Sequence, residues 1–298
     1  MGTPDFATPV LERLAREYLV AGVVTQPDRP AGRGKALTSP PVKRKALKLG
    51  IPMIQPTRLR EPEAFQRVES WEPDIIVVVA FGQILRQNVL DLPKFGCINV
   101  HASLLPRWRG AAPIHAAILN GDLITGVTIM KMDKGVDTGD ILAQRSTAIF
   151  AEDHAEALTN RLSELGAELL IETLPGYLDR SILPVAQDNS LATYAAMLKK
   201  EDGELDFHRP AEHLVRQVRA FTPWPGAFFR WEDTVIKVKS ARIEPGFRLS
   251  AGEHEISNGL PIIGTSTGGL VLEVIQPAGK KPMSGRDYLR GIRHWKKK

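Results

Sequence analysis

Apolar positions in the first 178 residues fall either into short runs or into stripes spaced three and four apart. The runs Val20–Thr25, Asp74–Ala80, Gly126–Met132 and Ile141–Ile149 predict strands, and Ile51–Ile54 predicts a short edge strand. Asp74-Ile75-Ile76-Val77-Val78-Val79-Ala80 is the clearest, apolar on both faces as a strand inside a parallel sheet must be. The stripes predict helices: Phe6, Val10, Leu11 and Leu14; then Lys43 to Lys48, closed by Gly50; then Phe65 and Val68. Further helices are predicted over Ile84–Leu90, over Ala111–Leu119, and after Asp153, where Leu158, Leu162, Leu165 and Leu169 share a face. Strands alternating with helices define an α/β domain with an open, mostly parallel, Rossmann-like sheet, whose ligands sit at the carboxyl ends of the strands.

The rhythm changes after residue 178. Asp179 to Lys200 is irregular, and 180–200 reads as a linker between a domain at 1–179 and another at 201–298. A helix from Pro210 to Phe221 is followed by short β-type runs at Ala227–Trp231, Thr234–Ile243, Pro261–Thr265 and Leu270–Ile275. Such turn-rich spacing predicts a small OB-like barrel.

One run carries polar residues where chemistry needs them. In Cys97-Ile98-Asn99-Val100-His101, the side chains of Asn99 and His101 fall on one face of a strand, opposite Ile98 and Val100. An amide beside an imidazole is a polarising pair for a carbonyl. The chain then leaves through Leu105-Pro106 into Arg107, Trp108 and Arg109. Asp133 to Asp140 is a tight acidic loop that lacks the ligand order and closing glutamate of an EF-hand, and it places Asp137 toward the same sheet edge.

Composition narrows the class. With 298 residues, 43% hydrophobic and 24% charged, the chain has the make-up of a globular protein of two domains. No apolar run approaches the roughly 20 residues that span a bilayer, and the N-terminus carries no export pattern. A single cysteine, Cys97, allows no internal disulfide and fits a reducing cytoplasm. The net charge of +5 suits a polyanionic partner and equally an enzyme of small metabolites. Gln26 to Lys35 concentrates Arg29, Arg33 and Lys35 in a stretch broken by proline and glycine, which predicts no regular element. It reads either as a solvated loop or as a basic finger for phosphates. Gly32-Arg33-Gly34 lacks the third glycine of a dinucleotide fingerprint.

No histidine or cysteine spacing resembles a zinc site, and there is no nucleophile elbow or Walker loop, which favours direct group transfer. An amine attacking a carbonyl generates an oxyanion and an ammonium. His101, whose free imidazole would titrate at roughly 6.5, is expected to hold its proton beside Asp137 and stabilise the oxyanion with Asn99. Asp137 is expected to orient His101 and to help remove the amine proton.

Asn99-Val100-His101-Ala102-Ser103-Leu104-Leu105-Pro106, together with Asp137-Thr138-Gly139-Asp140, resembles the signature of the folate-dependent formyltransferase family. The family's catalytic asparagine, histidine and aspartate match Asn99, His101 and Asp137. Arg107 to Pro113, Gln26 to Lys35, Pro223-Trp224-Pro225 and Gln276 to Lys281 are similar to the branch acting on methionyl-tRNA, so the resemblance runs from Gly2 to the last helix. It implies direct formyl transfer from 10-formyltetrahydrofolate to the free amine of initiator methionyl-tRNA, through a tetrahedral intermediate. It also implies a cytoplasmic, metal-free, monomeric enzyme. Ser103, Leu104, Leu105 and Pro106 would contact the folate, Arg29, Arg33 and Lys35 the tRNA, and the OB-like domain would hold tRNA. One departure is that the family has an apolar strand before the Gly2-Thr3-Pro4-Asp5 turn, where this chain has only Met1. The sheet is therefore expected to lack its first strand, and Met1 is expected to be an internal methionine of a longer protein.

Overall fold

The computed structural model describes residues 1–31, 36–292 and 295. Two compact units share the chain: Met1–Pro113, Ile124–Ala148 and Thr159–Ala195 form one, and Ile114–Leu123, Ile149–Leu158 and Ala196–Lys298 the other.

The chain opens with α1 (Thr8–Glu17), β1 (Val23–Val24), β2 (Arg29–Ala31), β3 (Ala36–Thr38), α2 (Pro41–Lys48), β4 (Met53–Ile54) and α3 (Pro62–Glu69). All three helices carry a proline in the first turn, where no backbone N–H is required. β5 (Ile76–Val78), α4 (Gln87–Leu90), β6 (Cys97–His101), β7 (Arg109–Gly110) and α5 (Pro113–Asn120) follow, and α4 is a single turn where a longer helix was expected. Then come β8 (Ile124–Lys131), β9 (Ile141–Ala148), the 24-residue α6 (Ala155–Leu178) and β10 (Tyr194–Ala195).

In the first unit β1 pairs β4 and β5 pairs β6, both in parallel. β8 then joins β6, and β9 joins β8, both antiparallel. The connection from β8 to β9 is a tight loop with no room for a crossover helix, so β9 has to run back alongside β8. The sheet is thus parallel on one side of β6 and antiparallel on the other.

Between β1 and β5 lies Met1-Gly2. The N–H of Gly2 donates to the Val24 carbonyl at 3.1 Å, and the Val79 N–H donates to the Met1 carbonyl at 2.9 Å. Gly2 forms a parallel bridge with Val79, so two residues hold the place of a central strand. Glycine is required at this position, because a Cβ would stand 2.8 Å from the Ala7 Cβ and 2.9 Å from the Val79 oxygen. Ahead of Met1 the gap between the two strands continues as an apolar slot of about 390 Å³, lined by Leu11, Val20, Val23, Trp71, Val77 and Leu174 among others.

Two segments differ from the sequence reading. The stretch containing Arg29 begins a regular element, since Arg29, Pro30 and Ala31 pair antiparallel with Thr38, Leu37 and Ala36. Proline fits because both strands of a two-stranded ladder are edges and its missing donor faces outward. The segment after α6, irregular in sequence, is tied to the first unit. Ile141 and Val185 exchange both backbone hydrogen bonds, at 2.8 and 2.9 Å, and β10 pairs β7 in parallel.

The second unit carries α7 (Ala211–Ala220), β11 (Ala227–Trp231), β12 (Thr234–Glu244), β13 (His254–Ser257), β14 (Leu260–Gly264), β15 (Gly269–Pro277), β16 (Met283–Ser284) and α8 (Gly285–Arg290). Its antiparallel sheet runs β11-β12-β15-β14-β13, with β16 also on β15. Phe229, Ile236, Val238, Leu270, Leu272 and Ile275 fill the core beneath α7, whose Leu214 and Val218 are buried with them. Among the described residues no helix is long and apolar enough to cross a membrane.

Candidate active site

β6 ends with its alternation intact: Ile98 and Val100 are buried, and Asn99 and His101 emerge on the face toward the β8–β9 loop. That loop turns at Asp137, whose φ of +53° lies in the left-handed region. The turn brings one carboxylate oxygen against both β6 side chains. Asn99 Nδ2 donates to Asp137 Oδ1 at 3.3 Å, and His101 Nδ1 lies 3.6 Å from the same oxygen. The other oxygen, Oδ2, accepts the Gly110 N–H at 2.8 Å.

The histidine is held from its far side. Nε2 lies 3.0 Å from the Trp108 carbonyl, which can only accept, so Nε2 carries a proton. Nδ1 then faces the carboxylate at a distance too long for a hydrogen bond, in its field and still open to another partner. The imidazole is 6% exposed and the Asp137 side chain 15%, so the interaction takes place largely away from water.

Ser103 to Pro106 leave β6 in a turn fixed by one hydroxyl. Thr128 on β8 is wholly buried; its Oγ1 donates to the Ser103 carbonyl at 2.7 Å and accepts the Leu105 N–H at 3.0 Å. Gln144 Nε2 on β9 donates to that hydroxyl at 2.9 Å and to the Leu105 carbonyl at 2.8 Å. The hydroxyl's one donor and two acceptor sites are all used. Ser103 Oγ closes the turn by donating to the Arg107 carbonyl, and the Arg107 guanidinium lies 4.4 Å over the Trp108 ring.

Sequence reasoning placed Asn99, His101 and Asp137 at one edge, and the structure brings these three together. It passed over Thr128, whose signal was a polar residue facing inward from the apolar run of β8, and the exposed Gln144, for which the local sequence offers no signal. It also passed over Gln187 and Asn189, which receive the buried Arg109 and for which the local sequence offers no signal. Of the basic candidates, Arg29 is exposed at the start of the hairpin and donates to Gln26 Oε1 at 3.1 Å. Arg33 and Lys35 lie outside the described residues. The base of that hairpin is anchored by Asp28, which receives Lys43 Nζ at 2.7 Å, Gln55 Nε2 at 2.7 Å and Ser39 Oγ at 3.1 Å. Hydrogen bonds from Gln55 and Lys43 hold the Asp28 carboxyl below its usual range. Beneath the site, burial pushes the Cys97 thiol up to about 12. Among the described residues no group of histidine, cysteine and acidic side chains is arranged to hold a metal ion.

Residues 1–174 match the family model described as formyl transferase, and residues 197–293 match formyl transferase, C-terminal domain. These matches, over a sheet ending in an amide, an imidazole and a carboxylate, define the class as formyltransferase. The methionyl-tRNA formyltransferase of Citrifermentans bemidjiense is 48% identical over 299 residues, covering 98% of this chain and 92% of that protein. That of Bacillus pumilus is 50% identical over 295 residues, covering 98% and 93%. The chain belongs to the methionyl-tRNA formyltransferase family. The fold is also that of an N-formyltransferase from Helicobacter canadensis solved with folinic acid and dTDP-3-aminofucose. There the TM-score is 0.67 at 18% identity, covering 91% of this chain and 96% of the other.

Proposed function

We propose that this chain transfers the formyl group of 10-formyltetrahydrofolate to the free amine of initiator methionyl-tRNA, and that it does so in the cytoplasm as a monomer. The observation that carries the reading is the convergence of Asn99 Nδ2 and His101 Nδ1 on a single oxygen of Asp137. The relatives named methionyl-tRNA formyltransferase support the choice of substrates.

The amine attacks the formyl carbon, a C–N bond forms, and the carbonyl oxygen takes up the electron pair. Asn99 and His101 are the donors for that oxyanion, and His101 adds positive charge when Nδ1 is protonated. Asp137 holds both in register and accepts the proton shed by the attacking nitrogen, directly or through water. Collapse of the tetrahedral intermediate breaks the bond to the folate nitrogen, which takes a proton as it leaves. The Ser103–Pro106 turn, with Leu104 and Leu105 at its centre, lies beside these groups and is the contact for the folate. In this reading 1–179 is the catalytic domain and 180–200 the connection. The β-rich 201–298 is an OB-like module that holds tRNA, with Arg29, Arg33 and Lys35 at the acceptor stem.

The test is formylation of charged initiator tRNA with 10-formyltetrahydrofolate. His101→Ala is expected to lose turnover while still binding tRNA, and Arg33→Ala to raise the KM for tRNA and flatten its salt dependence. Full activity in His101→Ala overturns the mechanism, and no formylation by the unaltered chain overturns the substrate assignment.

A further inference from the structure

We infer that Gln187 is a positioning residue for Asp137, acting as a clamp that Arg109 keeps in one orientation. The inference rests on the catalytic reading of Asp137 given above.

Asp137 holds a left-handed backbone, φ +53°, sparsely populated outside glycine and maintained only where the surroundings impose it. Gln187 imposes it. Its Nε2 donates to the Asp137 carbonyl at 2.9 Å and to the Gly139 carbonyl at 2.7 Å, so one amide nitrogen spans the backbone on both sides of Thr138. Its Oε1 accepts Arg109 Nε at 3.0 Å and Nη2 at 2.8 Å. A guanidinium has only donors and a carbonyl only accepts, so the amide cannot flip without setting like against like at both ends. Arg109 is itself fixed. It is 2% exposed, its Nη2 also donates to Asn189 Oδ1 at 2.8 Å, and its backbone N–H donates to the Thr193 carbonyl at 2.9 Å.

The consequence falls on the carboxylate. With the backbone pinned on one side and the Gly110 N–H on Oδ2 on the other, Oδ1 can only point toward Asn99 and His101. Gln187 donates to the Asp137 and Gly139 carbonyls and not to Asn99 or His101, so it acts on those two through the placement of Asp137.

Gln187→Glu tests this. Glutamate keeps the shape and the acceptor for Arg109 but sets an oxygen against two carbonyls, so the loop must shift. In a variant that melts like the unaltered chain, kcat is expected to fall about 100-fold, the effect of an ångström-scale misplacement. KM for both substrates should stay within about threefold. In an Asp137→Asn background the substitution should lower kcat no further. A crystal structure of Gln187→Glu should show Asp137 out of the left-handed region and its Oδ1 away from Asn99. Unaltered kcat, or a loss that adds fully to that of Asp137→Asn, overturns the inference. So does an Asp137 loop that has not moved. Should the unaltered chain not formylate tRNA, the substrate reading fails while the crystallographic arm still decides the clamp. Should Gln187→Glu fold poorly, Gln187→Ser, too short to reach both partners, gives the same readouts.

Discussion

His101 and Asp137 face each other with Nδ1 3.6 Å from Oδ1, near enough for the negative charge to act on the ring and too far for a hydrogen bond to tie Nδ1 to the carboxylate. That spacing suits a donor that must turn to a substrate oxygen. Asp137→Asn keeps the shape and removes the charge. The expected outcome is a kcat lower by about 100- to 1,000-fold at a little-changed melting temperature, measured by single-turnover formylation.

Thr128 gives a second prediction. Thr128→Val leaves the Ser103 carbonyl and the Leu105 N–H without their shared partner in a dry interior, and removes an acceptor of Gln144. The variant is expected to lose about 2–4 kcal/mol of stability in urea titrations and to bind the folate more weakly. Thr128→Ser keeps the hydroxyl and should recover most of both.

A third prediction concerns the slot ahead of Met1. The terminal ammonium donates to the Val77 carbonyl at 2.6 Å, and burial lowers its pKa from 8.0 to about 6. Between those values the unfolded chain binds a proton that the folded chain does not. Stability should therefore fall as pH drops from about 8 to about 6, by ~2 kcal/mol, and the penalty should persist below. A variant extended by five valine or isoleucine residues ahead of Met1 fills the slot and carries its amine elsewhere. It is expected to unfold at higher urea and to lack this component. Identical titrations for the two chains would refute the argument.

Cys97 supplies a fourth. It is 1% exposed, and its thiol is pushed up to about 12 by burial. Alkylation by iodoacetamide at pH 8 should be at least about 100-fold slower in the folded chain than in guanidinium. Labelling then reports opening of the β5–β6 core.

The polar face of β6 was legible because period-2 alternation assigns Asn99 and His101 to one side whatever lies around them. The apolar runs announced burial but not every strand's direction: β8 lies antiparallel to β6, and β9 runs back along β8 because their connection is too short to cross over. The antiparallel pairing of Arg29–Ala31 with Ala36–Thr38 escaped notice because proline reads as a breaker, although at an edge it interrupts nothing. Gln187 had no local signal. Its role depends on Arg109, 78 residues earlier, and nothing in Pro184 to Ser190 encodes that partner. A glutamine between an alanine and an aspartate in an irregular stretch looks like solvated chain.

The order in which the site's parts occur along the chain has a consequence during synthesis. Met1-Gly2 lies between strands reached more than 20 and more than 70 residues later, and β7 is closed by β10 at Tyr194–Ala195. On the proposed mechanism, a ribosome that has delivered Asn99, His101 and Asp137 has made the reacting side chains, yet the clamp on Asp137 still awaits Gln187. Catalytic competence therefore arrives late and abruptly, some 50 residues after the last reacting group has been translated. On that mechanism, a chain interrupted before that point carries the reacting groups without the clamp that holds the Asp137 backbone.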